Sequence, residues 1–168
     1  MYEELPPGWM SDEELAELQR LAAGRMVLEI GTWKGRSACA MAMAGGQVWC
    51  LDTFQGDPST GKEWTLPGLL LDAKRLGVVD RLYPLVDTWE SLLPRLDLSW
   101  FDVLFYDAAH DEQSTYEAGK ILLAGARADV PVVFHDFIGW HTVWLAVTRL
   151  IAESGRKHQI IGTMTVLR

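Results

Sequence analysis

The chain has 168 residues, 49% of them hydrophobic and 23% charged, and a formal net charge of -8. That length suits one domain spanning 1–168 with an ordinary apolar core. The acidic balance, without a Lys/Arg cluster, argues against a nucleic-acid groove, and no apolar run reaches membrane-spanning length.

Glu3 and Glu4 stand where a secretory signal would be basic, so the expected location is cytoplasmic. Ser11 followed by Asp12, Glu13 and Glu14 reads as a capped helix start. Leu15, Leu18 and Leu21 recur at helical spacing, and Gly24 closes this N-terminal helical segment, 1–24. Residues 26–30 form a strand, 35–44 a helix and 47–51 a second strand. Cys39 and Cys50 lie in these apolar segments and read as buried free thiols. Residues 53–65, with Gly56, Pro58 and Gly61, read as an ordered loop or lid. Then follow a helix over 67–77, a strand over 81–86, a short helix over 89–96 and a fourth strand over 102–106. A helix over 112–127 precedes a fifth strand, 130–134. A helix over 139–153 carries Trp140, Val143, Trp144, Val147, Leu150 and Ile151 on one stripe, which reads as core-facing. Two short strands, 158–161 and 164–167, joined by Gly162-Thr163, close the chain.

Strand and helix alternate through five units, and the inner strands are continuously apolar, as in strands covered on both faces. The pattern predicts an α/β, doubly wound, Rossmann-like sheet of seven mostly parallel strands with helices on both faces. The last two strands are too closely joined for a crossover and are expected to be antiparallel. Ligands of such sheets bind at the carboxyl ends of the strands. The polar residues there are Glu29 and Gly31, Asp52, Asp107, and His135-Asp136. Gly31 permits a sharp turn and close ligand approach, and Gly35 opens a helix whose free N–H groups face the site. Asp52 suits the paired hydroxyls of a ribose. The plainer alternatives are that both glycines serve turns only, that Asp52 is a cap, that Asp136 caps a helix starting near Ile138, and that His135 is a satisfied core histidine.

The run Leu28-Glu29-Ile30-Gly31-Thr32-Trp33-Lys34-Gly35-Arg36-Ser37 resembles the first motif of class I S-adenosylmethionine-dependent methyltransferases. Within them it is most similar to the small bacterial, metal-dependent sugar and natural-product O-methyltransferases. Leu51-Asp52-Thr53-Phe54, Asp107-Ala108-Ala109-His110 and Phe134-His135-Asp136-Phe137 resemble that group's later motifs, in order. The resemblance implies a cofactor site made of Glu29, Gly31, Thr32, Gly35, Ser37, Asp52, Thr53, Phe54, Asp87, Thr88 and Asp107. In it Glu29 and Gly31 flank the methionine part, Asp52 takes the ribose, and Thr53, Phe54, Asp87 and Thr88 lie near the adenine. It implies Asp107, His110 and His135 as catalytic candidates. It places Asp107, His135 and Asp136 where some relatives bind a divalent cation, Mg or Mn. Such an ion would lower the pKa of an acceptor hydroxyl; without it, His110 or His135 would be the general base. Ala109 and Asp111-Glu112-Gln113 depart from the group's pattern on the acceptor side.

The expected activity is O-methylation of a small hydroxylated acceptor such as a sugar or natural product. A non-catalytic S-adenosylmethionine-binding module of a larger assembly is the alternative. The acceptor pocket would use Trp33, Trp64, Trp140 and His141, and a homodimer could complete it.

Overall fold

The computed structural model describes residues 2–57 and 61–168. Pro58, part of the expected loop, lies outside them.

Seven strands form one sheet: β1 (Met26–Ile30), β2 (Gln47–Asp52), β5 (Leu82–Val86), β6 (Val103–Tyr106), β7 (Val132–Phe134), β8 (His158–Ile161) and β9 (Met164–Leu167). Their order is β5-β2-β1-β6-β7-β9-β8, and β3 (Gly56–Asp57) pairs with β4 (Gly61–Lys62) as a separate small ribbon within the 53–65 loop. The first five are mutually parallel, whereas β9 runs antiparallel to both β7 and β8. The expected α/β sheet with its antiparallel terminal pair is therefore observed. Helices α1 (Asp12–Ala22), α2 (Arg36–Met43), α3 (Leu66–Arg75), α4 (Trp89–Leu92), α5 (Glu112–Gly125) and α6 (His141–Ser154) connect or flank the strands. The short helix expected over 89–96 is α4 followed by a 3-10 turn at Leu93–Arg95, where Pro94 withholds a backbone donor.

Helices cover both faces of the sheet. Leu15, Leu18, Met41 and Leu69 from α1–α3 pack with Val27, Val48 and Phe105 on one face. Ala118, Leu122, Val143 and Leu150 from α5 and α6 pack with Leu28, Ile30 and Phe134 on the other. Strands β6, β7 and β9 are buried at every residue, as their unbroken apolar runs require, whereas the edge strand β8 is largely exposed. Cys39 and Cys50 are buried and unpaired, and burial pushes the Cys39 thiol up to about 12. Among the described residues no helix is long and apolar enough to cross a membrane.

The chain winds outward from β1 through β2 to β5, then returns to β6 beside β1 and winds the other way to β7. The carboxyl ends of β1 and β6 thus flank the point where the winding reverses, and a crevice opens there.

Candidate active site

The turn after β1 is fixed by two glycines. Gly31 has φ 90°, donates its N–H to the Leu51 carbonyl at 2.9 Å and sits so close to β6 that an added Cβ would overlap the Asp107 carbonyl. Gly35 has φ 85°, occupies the N-cap of α2, and leaves no room for a Cβ against Leu69. Both positions demand glycine on conformational and steric grounds together. Beneath them Glu29 is fully buried. Its carboxyl accepts hydrogen bonds from Thr32 Oγ1 at 2.8 Å and from Ser37 Oγ. Burial pushes its pKa up to about 8, the two hydroxyls opposing and the charges of Asp107 and Asp52 adding to the rise. Glu29 does not reach the crevice; it holds the turn from below.

Asp52 ends β2 and braces two loops. Its Oδ2 accepts from the Trp33 N–H at 2.7 Å and its Oδ1 from the Phe54 N–H at 2.7 Å. Trp33 (φ 48°) and Phe54 (φ 55°) are two of the three non-glycine residues with positive φ among the described residues, a costly conformation that the shared carboxylate helps to hold. Each Asp52 oxygen keeps a lone pair for a ligand. One expectation fails here. Phe54 is fully buried in the α1–α3 core and lines no part of the crevice; Thr53 does line it. The left-handed turn at Phe54 sends consecutive side chains to different sides.

The ends of β6 and β7 bring four ionisable side chains together. His110 Nε2 lies 2.8 Å from Asp136 Oδ2 and 4.0 Å from Asp107 Oδ1. The ring packs on Trp140, with centroids 4.7 Å apart. Asp136 has φ 55° and, despite burial, its contacts with His110 and His135 hold it below the usual carboxylate range. His110 is raised by the hydrogen bond to Asp136, against the effect of burial. His135 is 6% exposed and lies 3.2 Å from Asp107 through Nδ1 and 3.7 Å from Glu14 through Nε2. Burial opposes its charge, but Asp107, Asp136 and Glu14 outweigh it and lift its pKa to about 12.

These contacts revise the expected cation ligands. Oxygen and nitrogen atoms of Asp107, His110 and Asp136 all lie within 4.8 Å of one another, so His110 takes the place expected of His135. His135 Nδ1 also lies 3.2 Å from Asp107 and 3.5 Å from Asp136, so its carboxylate neighbours already engage that ring nitrogen. Asp136 is no helix cap, because the N-cap of α6 is Trp140.

A cavity of about 730 Å³ joins these parts. Of the expected residues, Gly31, Thr32, Ser37, Asp52, Thr53, Asp87, Thr88, Asp107, His110, His135 and Asp136 line it; Glu29, Gly35 and Phe54 do not. Trp33 and Trp140 line it as well, whereas Trp64 borders a separate cleft of about 90 Å³ and His141 stacks on Trp144. The α6 tryptophans are not core: Trp140 is 47% and Trp144 42% exposed. Arg36, Trp89 and the N-terminal segment, none of them among the expected site residues, join the wall. Gly8, Trp9 and Met10 lie in the cavity wall, and Trp9 stacks on Trp33 with centroids 4.7 Å apart. Among the described residues two buried donors, Trp33 Nε1 and Arg36 Nε, have no partner.

Structures of known proteins share this architecture. An O-methyltransferase from Bacillus cereus, solved with S-adenosylhomocysteine, superposes with a TM-score of 0.71 at 20% identity, over 97% of this chain and 84% of its own. TomG of Streptomyces achromogenes, an O-methyltransferase of tomaymycin synthesis solved with S-adenosylmethionine, gives 0.70 at 20% identity, over 95% and 80%. An RNA methyltransferase from Salinibacter ruber gives 0.62 at 16% identity, over 95% and 91%, so likeness of fold alone does not choose an acceptor. No curated protein matches the chain in sequence. The profile of a family described as "Methyltransferase domain" matches residues 28–137, from the β1 glycine turn through the His135-Asp136 pair. The chain is a member of this methyltransferase domain family.

Proposed function

We propose that the chain, as one domain over 1–168, is an S-adenosylmethionine-dependent methyltransferase that O-methylates a small hydroxylated acceptor such as a sugar or natural product. The observation that carries this reading is Asp52. It stands at the cavity edge, held by two backbone N–H groups, with one lone pair per oxygen free for adjacent ribose hydroxyls. The cavity fits the cofactor in two further respects. Gly31, without a side chain, brings backbone to the cavity wall, and Trp33 and Arg36 have buried donors that lack partners among the described residues.

Thr53, Asp87 and Thr88 border the Asp52 end and would receive the adenine. Gly31, Thr32, Ser37 and Asp107 border the other end and would receive the methionine part. Asp87 is preset for this by two hydrogen bonds of its own, from the Thr88 N–H at 2.8 Å and Ser91 Oγ at 3.1 Å. Glu29, Gly35 and Phe54 contribute by shaping the turns. When bound, the cofactor would supply an electrophilic methyl group for the acceptor oxygen, with S-adenosylhomocysteine as the leaving group. His110 takes the proton of that oxygen on Nδ1, and Asp136, which accepts the Nε2–H hydrogen bond at 2.8 Å, stabilises the resulting imidazolium. His135, pinned between Glu14 and Asp107, orients Asp107. The exposed indole of Trp140 and the Trp9–Trp33 stack would form the acceptor walls, with a small molecule as partner and a homodimer completing the pocket. We read the location as cytoplasmic.

A second reading of the same residues is favoured by the 4.8 Å grouping of Asp107, His110 and Asp136. Two carboxylates and an imidazole would hold a divalent cation, Mg or Mn, which would lower the pKa of an acceptor hydroxyl. His110 cannot then be the base.

Calorimetry with S-adenosylhomocysteine on the wild type and Asp52→Ala tests the cofactor site; absence of binding by the wild type sinks the proposal. Transfer of labelled methyl groups into a metabolite pool, run with Mn or with a chelator, tests the chemistry. Binding without transfer under either condition supports the non-catalytic module instead. Transfer that survives chelation but not His110→Ala supports the histidine base.

A further inference from the structure

We infer that Arg36 holds the carboxylate of the cofactor's amino-acid tail, an inference that rests on the S-adenosylmethionine reading above. Charge makes the need for such a group specific. The cavity wall carries Asp52, Asp87, Glu90, Asp107 and Asp136, and the one arginine or lysine among its described residues is Arg36. A tail that ends in a carboxylate meets repulsion along much of that wall, and the His135 ring is already engaged with Asp107 and Asp136, which leaves Arg36 as its partner.

The local structure leaves this guanidinium available. Arg36 forms no ion pair among the described residues; neighbouring Lys34 is engaged with Glu63 at 2.7 Å. Its Nη1 donates to the Pro6 carbonyl at 3.1 Å, which fixes the side chain beneath the N-terminal segment. Its stem is held as well, since a Cβ on Gly8 would stand only 2.8 Å from Arg36 Cδ. Nε remains buried with no acceptor among the described residues, an unpaired donor on a charged group that a structural role alone does not explain. A carboxylate satisfies it, and the planar fork of arginine suits two parallel hydrogen bonds to one. Arg36 also opens α2 beside Ser37, and both line the cavity. The tail would therefore run from the Asp52 end, past Gly31, to Arg36.

The competing role is mechanical: Arg36 ties down the segment bearing Trp9 and nothing more. Calorimetry with two ligands separates the roles, namely S-adenosylhomocysteine and its decarboxylated form, which keeps the adenosine, sulfur and amine. The wild type should favour S-adenosylhomocysteine by about 10- to 100-fold, the worth of one charge-assisted contact. In Arg36→Met, which keeps an apolar stem beneath Gly8, that preference should vanish or reverse. Affinity for the decarboxylated ligand should stay within about threefold, which also certifies the fold. Arg36→Lys should recover part of the preference. An unchanged preference in Arg36→Met, or an equal loss for both ligands, overturns the inference and leaves the cofactor reading standing. A wild type that binds neither ligand overturns both.

Discussion

Gly31 and Asp52 do different work within a few ångströms of each other. Gly31 exists because the backbone must turn left-handed exactly where β6 presses against it from one side; a side chain there has nowhere to go. Gly31→Ala should cost at least about 2–3 kcal/mol, from strain and steric displacement combined, and should show as a lower urea midpoint. Asp52 stores no such strain itself but restrains two residues that do. Asp52→Asn should keep most of the fold while weakening S-adenosylhomocysteine at least about tenfold in calorimetry, because an amide offers one acceptor oxygen where the carboxylate offers two. Glu29 makes a pH prediction. Its folded pKa of about 8 lies above its ordinary 4.5, so its contribution is full below about pH 4.5 and is lost as pH rises through about 8. Glu29→Gln should therefore be progressively more stable relative to the wild type between pH 5 and 8. A wild-type-minus-mutant difference that is flat across that range contradicts the buried neutral carboxyl.

At the scale of elements, α1 is more than packing. Its Glu14 completes a capping box with Ser11, receives the Thr163 N–H at 2.6 Å and Thr163 Oγ1 at 2.7 Å from the β8–β9 turn, and faces His135. One carboxylate thus joins the first helix, the last hairpin and the cavity floor. Despite burial, these contacts keep Glu14 below the usual carboxylate range. Ser11→Ala should cost about 1 kcal/mol, the worth of an N-cap. Glu14→Gln should cost about 2 kcal/mol, because it weakens the Thr163 hydrogen bonds and removes one of the three carboxylates around His135. Equal costs for the two, measured by denaturant titration, would mean that Glu14 only caps. The stripe on α6 shows how an element can mislead: Val143, Val147 and Leu150 do face the core, but Trp140 and Trp144, one helical turn apart, lie at its open margin, and Trp140 continues into the cavity wall.

For the whole molecule, the governing fact is that α-helical crossovers on opposite faces leave a crevice between β1 and β6, and all the polar strand ends open into it. A ligand seated there touches loops from five strands and must stabilise the fold as one unit. S-adenosylhomocysteine at 100 times its dissociation constant should add about 2.7 kcal/mol, seen as a rise of several degrees in Tm. Asp52→Ala should abolish the rise at the same ligand concentration. A rise that survives that substitution would place the ligand elsewhere.

By itself the sequence determined the sheet, the order of its elements and the strand-end residues. Unbroken apolar strands need cover on both faces, and a two-residue joint permits only a hairpin. It also marked Gly31 and Asp52, since a left-handed turn and an acid at a strand end are local events. Tertiary structure decided what depends on partners distant in the chain. Phe54 went inward because Asp52 bends its backbone. His135 is held by Asp107, Asp136 and Glu14, the last 121 positions earlier, and His110 joins Asp107 and Asp136 in one 4.8 Å group. Arg36 and Trp9 entered the cavity wall because the segment before α1 folds back over the turn after β1. Charge pairing and chain return are properties of the folded whole, and no window of neighbouring residues contains them.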